Sequence, residues 1–333
     1  MKNTLIHSLI LLVLIGCGLV WAMPACATIT CSTASMSPVS FGTVNPLSSL
    51  TQTTATLTYT CKNSTGGGTH SATVCFSIGE PGGAQTNPRL MTSGTNTLQF
   101  QLYWGSFNGT IWGSQYFGST TPLMVNLTLA SGASATNQTA TLYAQVLSGQ
   151  TTAVPGSYSD NYQNGDTAVT VNDVAGNTAP GSCGSTQTAN LFFPFLVSAT
   201  VQKNCSVSAN NLSLGSVAAG TANASGSSTL SVTCAYNTPY YVGLAPQNVT
   251  STTGAGTMKG TGANANTISY QLYSNSGLST VWGNTATTTS VGNGMSGTGT
   301  GVATSFTVYA KTTSSTDVQP DNYSDTVQVN VNY

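Results

Sequence analysis

A chain of 333 residues with six Lys/Arg and seven Asp/Glu is long enough for two ordinary domains and carries very little charge. That balance excludes a basic nucleic-acid surface and a polybasic membrane segment. Abundant Thr, Ser and Gly among regularly spaced apolar residues is not the composition of disorder, and points to all-β structure.

In chain order, the N-terminus comes first. Lys2 is followed by the run Leu5 to Val20, apolar apart from His7 and Ser8, and then by small residues at Ala25 and Ala27. This is the layout of a secretory signal peptide with cleavage after Ala27. The uninterrupted apolar run of Leu9 to Ala22 is shorter than the ~20 residues a membrane helix needs. A second reading takes Leu14-Ile15-Gly16-Cys17 as a lipobox, which would leave an acylated Cys17 at the new N-terminus. Cleavage after Ala27 leaves five Lys/Arg against seven Asp/Glu, a net charge of about −2. It also reduces eight cysteines to six, an even number in an oxidising compartment.

The mature chain is written twice. Cys31 to Gly42 matches Cys205 to Gly215, and Ala55-Thr-Leu-Thr-Tyr-Thr-Cys61 matches Ser228-Thr-Leu-Ser-Val-Thr-Cys234. Asn96 to Tyr103 then matches Asn266 to Tyr273, and Ile111-Trp112-Gly113 matches Val281-Trp282-Gly283. Thr141 to Gln145 matches Thr307 to Lys311, and Ser157-Tyr-Ser-Asp160 matches Asn322-Tyr-Ser-Asp325. Order is kept throughout, which argues for tandem copies of one fold. Short alternating strands between Gly, Asn, Pro and Ser turns predict an antiparallel β-sandwich in each copy. The matched cysteines are expected to pair as Cys31–Cys61 and Cys205–Cys234, and elimination leaves Cys75–Cys183. The recurring aromatics, such as Tyr158 and Tyr323, are read as packing and turn anchors.

Between the copies lies Asn190 to Lys203, the densest apolar run outside the N-terminus. In it Phe195, Val197, Ala199 and Val201 alternate with Leu196, Ser198, Thr200 and Gln202, the period of a strand. The expected division is a signal peptide (1–27), a first domain (28–189), a linking strand (190–203) and a second domain (204–333). A last alternating segment places Val327, Val329, Val331 and Tyr333 on one face.

These residues resemble the spore coat U domain family, the fold of subunits in archaic chaperone–usher pili. The resemblance is carried by the cysteine before Phe41-Gly42 or Leu214-Gly215, the Thr-rich strand into a second cysteine, Gln-Leu-Tyr, and the closing Tyr-Ser-Asp. It covers residues 28–333, and two such domains behind a signal peptide look like the tip adhesin of a Csu-type pilus. The resemblance implies Ig-like pilin sandwiches that lack their last strand and are completed by a neighbour, which pairs the open edge and fills the groove. On that footing Phe195, Val197, Ala199 and Val201 are expected to complete the first domain from within. The second domain, through Val327, Val329, Val331 and Tyr333, is expected to meet a periplasmic pilus chaperone and then a strand from the next subunit. Three residues between Ala27 and Cys31 are too few to donate, so a tip position is expected. An outer-membrane usher is a further implied partner, and the route is through the periplasm of a Gram-negative bacterium to the cell exterior.

Differences between the copies mark what the first domain adds. Trp104, Phe107, Tyr116, Phe117, Leu123 and Met124 have no counterparts in the second copy and sit in or beside Gly/Ser/Asn segments. Exposed, they would form an apolar binding surface, and the resemblance implies hydrophobic, including abiotic, targets. Two other classes remain open: a lectin-like glycan binder using Trp104, Trp112 and Tyr116, and a structural coat or pilus-shaft protein without a ligand. Catalysis is not expected. Excluding the signal segment, His70 is the sole histidine and Glu80 the sole glutamate, and no nucleophile, phosphate-loop or zinc spacing occurs. Asp160, Asp166 and Asp173 could hold calcium, but turn chemistry explains them more simply, and no cofactor or metal is expected.

Overall fold

The computed structural model describes residues 28–48, 50–83, 86–116, 120–189 and 191–333. The signal-peptide and Cys17 readings fall outside them. Within them the chain is all-β, without an α-helix. The first half supplies β1 (Ile29–Met36), β2 (Val39–Val44), β3 (Thr51–Asn63), β4 (His70–Ile78), β5 (Arg89–Ser93), β6 (Asn96–Trp104), β7 (Thr110–Ile111), β8 (Leu123–Leu129), β9 (Ser134–Val146), β10 (Gly156–Tyr162), β11 (Thr167–Ala175) and β12 (Phe195–Val201). The second supplies β13 (Cys205–Ala209), β14 (Ser225–Cys234), β15 (Pro239–Pro246), β16 (Ala255–Lys259), β17 (Thr267–Tyr273), β18 (Met295–Thr298), β19 (Thr304–Thr312) and β20 (Val327–Asn332).

Each half folds as two facing sheets. In the first, β1-β3-β9-β6-β5-β10-β12-β2, with β7 on β6, faces β11-β4-β8. In the second, β13-β14-β19-β17-β16 faces β18-β15-β20. Alternation along the strands explains the layering: β12 buries Phe195, Val197, Ala199 and Val201 and turns the residues between them outward. Strand β4 departs from this pattern, with all nine residues buried. Its outward Ser71, Thr73 and Ser77 are covered by neighbouring loops and bonded to Gly176, Gly181 and Gln115, so the polar face is satisfied under cover.

Devices recur in both halves. The Trp112 indole donates to the Phe76 carbonyl and Trp282 donates to the Val242 carbonyl, each joining the two sheets through a fully buried ring. The Tyr158 hydroxyl donates to Val154 four residues back, as Tyr323 does to Gln319, both at 2.7 Å. Among the described residues the disulfides are Cys31–Cys61, Cys75–Cys183 and Cys205–Cys234. The first and third join matched strand pairs, β1 to β3 and β13 to β14.

One difference between the halves concerns the sheet order. In the first, β12 lies between β10, to which it is antiparallel over Gly156–Tyr162, and β2, to which it is parallel. In the second, the segments that match β10 and β2 have no strand between them. That gap positions the site described next.

Candidate functional site

The gap is a groove of about 910 Å³. Its edges are the segments around Leu212–Val217 and Val318–Asp325, and its floor includes Met258, Tyr270, Val308 and Val329. Pairing registers, and for Leu212 the sequence repeat, assign these positions counterparts in the first half. Met258 stands where Met91 does, since Met258 pairs with Ile268 as Met91 pairs with Leu98. In the first half Val39, Met91 and Leu142 are completely buried in the core that β12 helps to close. Their counterparts Leu212, Met258 and Val308 are only partly buried around the core of the second half. Apolar side chains thus stand half-open along a backbone edge that no strand of the described residues pairs.

The end of β12 shows what occupancy involves in the first half. Phe195 stacks flat on Tyr162 with ring centroids 4.5 Å apart. Arg89 approaches the same Tyr162 ring and donates to its hydroxyl at 2.9 Å. The guanidinium also donates to the carbonyls of Gly79 and Trp112 and pairs with Glu80 at 2.8 Å. Asp160 lies close by, so this one buried cation serves two carboxylates. Burial pushes Glu80 up to about 7 against the pull of Arg89, with Asp160 and Asp166 adding to the rise. Burial likewise raises Asp160 to about 6, opposed by its hydrogen bond with Tyr162 and by Arg89. In the second half this cluster is absent. Gly256 stands at the Arg89 position, and Tyr270, at the Phe100 position, fills the space and donates to Asp325 at 2.8 Å.

Both carboxylates have folded pKa values above their unfolded ones, so the folded first half binds more protons between about pH 4 and pH 7. Their contribution to stability is fully present below about pH 4 and is lost as pH rises through 6 to 7. Calorimetry is expected to give a lower melting midpoint for the first half at pH 8 than at pH 5, with the difference reduced in Glu80→Gln. A midpoint that is flat or rises over that range would contradict the cluster.

The five extras among the described residues are not all exposed. Trp104 and Leu123 are partly buried against the core, which corrects the expectation that both stand in the open. Phe107 packs edge-on against Tyr143 at 5.1 Å. Tyr116, 52 % exposed, and Met124, 46 % exposed, do face outward, and Phe117 lies outside the described residues. Phe193 is buried edge-on to Phe76, and Phe192 is half-buried. On β20, Val327 and Val329 line the groove from the facing sheet and Val331 packs on the core, while Tyr333, just past the strand, is exposed. The backbone of β20 pairs with β15.

The three aspartates considered for calcium are not brought together. Asp173 accepts from the backbone of Ile29 and pairs with His70 at 2.8 Å, while Asp160 and Asp166 lie near Arg89 and Glu80. No cluster suited to a metal ion occurs among the described residues. The groove edge around Leu212–Val217 is not a strand in the structure, so no strand pattern could mark it in the sequence. The match of Leu214-Gly215 to Phe41-Gly42 was the signal for it.

Comparison with known families finds the same doubling. The family model described as Spore Coat Protein U domain matches residues 20–163 and again 191–330. The chain belongs to this family. Among solved structures it is similar to the CsuC–CsuE complex of chaperone and tip adhesion subunit from the archaic chaperone–usher Csu pili of Acinetobacter baumannii. That match has 16 % identity and a TM-score of 0.52, and covers 90 % of this chain and 100 % of that one. It establishes a shared fold for this member of the spore coat protein U family. The CupB6 tip adhesin of Pseudomonas aeruginosa also matches, at 11 % identity and a TM-score of 0.36, over 92 % of this chain and 95 % of that one. No curated protein sequence matches.

Proposed function

We propose that this protein is the adhesive tip subunit of an archaic chaperone–usher pilus. The observation that carries the reading is the inequality of the two grooves: the first is filled by the chain's own β12, and the second is open. A subunit that accepts a strand while its own linking strand is engaged ends a series of strand exchanges. The open groove binds a periplasmic chaperone first and then the extension of the next subunit at an outer-membrane usher. The protein thus passes through the periplasm of a Gram-negative cell and ends outside it. The first half faces outward and attaches to apolar, including abiotic, surfaces through exposed side chains such as Tyr116 and Met124.

The test has two parts. Produced in a bacterial periplasm, the full chain is expected to accumulate as a soluble one-to-one complex with its chaperone, and a label on the first half should appear at fibre ends in electron micrographs. Label along the whole fibre would make it a shaft subunit. For attachment, the double variant Tyr116→Ser, Met124→Ser loses about 1 kcal/mol per side chain, half or less of full burial. Retention of piliated cells on polystyrene should fall at least about fivefold with melting unchanged. Equal retention would remove these residues from the adhesive surface.

A further inference from the structure

The filled groove is a template for the empty one, and the two templates do not match in size. In the first half Ala199 stands opposite the bulge at Phe41-Gly42, between the pairs Ser198–Ser40 and Thr200–Thr43. Ala199 and Phe41 are both buried, at 4 % and 6 % exposed. The small methyl is what fits beside the large ring. The second half keeps the bulge geometry, with Gly215 at φ 74° against Gly42 at φ 62°, but carries Leu214 where Phe41 stands. A strand with Ala at this place would leave a void there, because Leu has three fewer side-chain carbons than Phe, and close-packed interiors penalise missing carbons.

The other end differs too. Phe195 has Tyr162 to stack on only because β10 runs two residues past Asp160 before it turns. Two residues past Asp325 the chain is Val327, already paired with Pro246 in β20. No counterpart of the Tyr162 ring therefore stands at the Phe195 place; the aromatic ring near that end of the open groove is Tyr270, whose hydroxyl is held by Asp325.

We infer that the strand closing the second half comes from a different polypeptide whose side chain at the Ala199 position is a large aliphatic, and that β12 of a second copy is a poor substitute. The incoming strand runs antiparallel to the segment before Asp325 and parallel to the one at Leu214, as β12 does between β10 and β2. This inference rests on the strand-accepting reading of the groove. It adds a selectivity: Leu214 together with the Phe195 end keeps the chain from pairing with itself.

The experiment uses the full mature chain extended past Tyr333 by a flexible linker and a copy of Phe195–Val201, either unchanged or with Ala199→Leu in the copy alone. Thermal unfolding of the second half is read in each. The substituted copy is expected to raise the midpoint several degrees above the unchanged copy. Reciprocally, Ala199→Leu within β12 should lower the midpoint of the first half, and adding Phe41→Leu should restore most of it. If the unchanged copy serves as well or better, or Phe41→Leu gives no rescue, the size selectivity is wrong and the groove still accepts strands. If neither copy stabilises the second half, strand acceptance itself falls, and this inference falls with it.

Discussion

Replacing Val197 by Asp is expected to unfold the first sandwich while leaving the second intact. Val197 is fully buried in the middle of β12, paired with Asp160 on one side and Val39 on the other. A carboxylate there would have no cation free to meet it, because Arg89 is already bonded to Glu80, Tyr162 and three carbonyls. It would face Asp160, of which one oxygen is already buried without a hydrogen-bond partner. Burying an unpaired charge costs several kcal/mol, against a typical domain stability of roughly 5–15 kcal/mol. Denaturant unfolding should lose its first-sandwich transition at once. The comparison is Leu196→Asp, one residue away on the outward face and 42 % exposed, which should shift stability by about 0.5 kcal/mol or less. If both variants behave alike, β12 does not serve as a core strand of the first half.

The alternation that marks Val197 as inward is legible in the sequence, and so is the doubling. A period of two over Phe195–Val201 needs no tertiary knowledge, and β12 buries the four residues in question. The matched Trp112 and Trp282 recur because each joins its two sheets with the same bond. Less legible was anything set by contact between distant segments. His70 and Asp173 meet across paired strands, 103 residues apart in sequence. Glu80 and Arg89 share a buried pocket that no local pattern announces. Trp104 and Leu123 looked available because their neighbours are Gly, Ser and Thr. Yet each lies in a strand, β6 or β8, whose facing sheet offers apolar cover. An aromatic beside a polar loop is thus weak grounds for exposure when its own backbone is still in register.

The Cys75–Cys183 bond bears on the same strand from another direction. It ties β4, at the centre of the smaller sheet, to the segment that leads from β11 to β12. Its loop is also the longest of the three, with a separation of 108 residues against 30 and 29. In the chain-entropy account, constraining so long a loop contributes about 4.8 kcal/mol, against about 3.6 kcal/mol for a loop of 30. The double variant Cys75→Ala, Cys183→Ala should therefore destabilise the first half by several kcal/mol, more than Cys31→Ala, Cys61→Ala does. The second half, which holds Cys205–Cys234, should melt unchanged. The local consequence is the more telling one. Without the tie, the stretch from Gly176 to Ala189 is held to β4 mainly by hydrogen bonds such as Gly181 to Thr73, so protease cleavage there should quicken. Since β12 follows directly, cleavage would turn a strand from the same chain into a separate piece, with loop closure no longer favouring its place between β10 and β2. If cleavage in this stretch is no faster in the variant than in the parent, the bond has no part in keeping β12 in place.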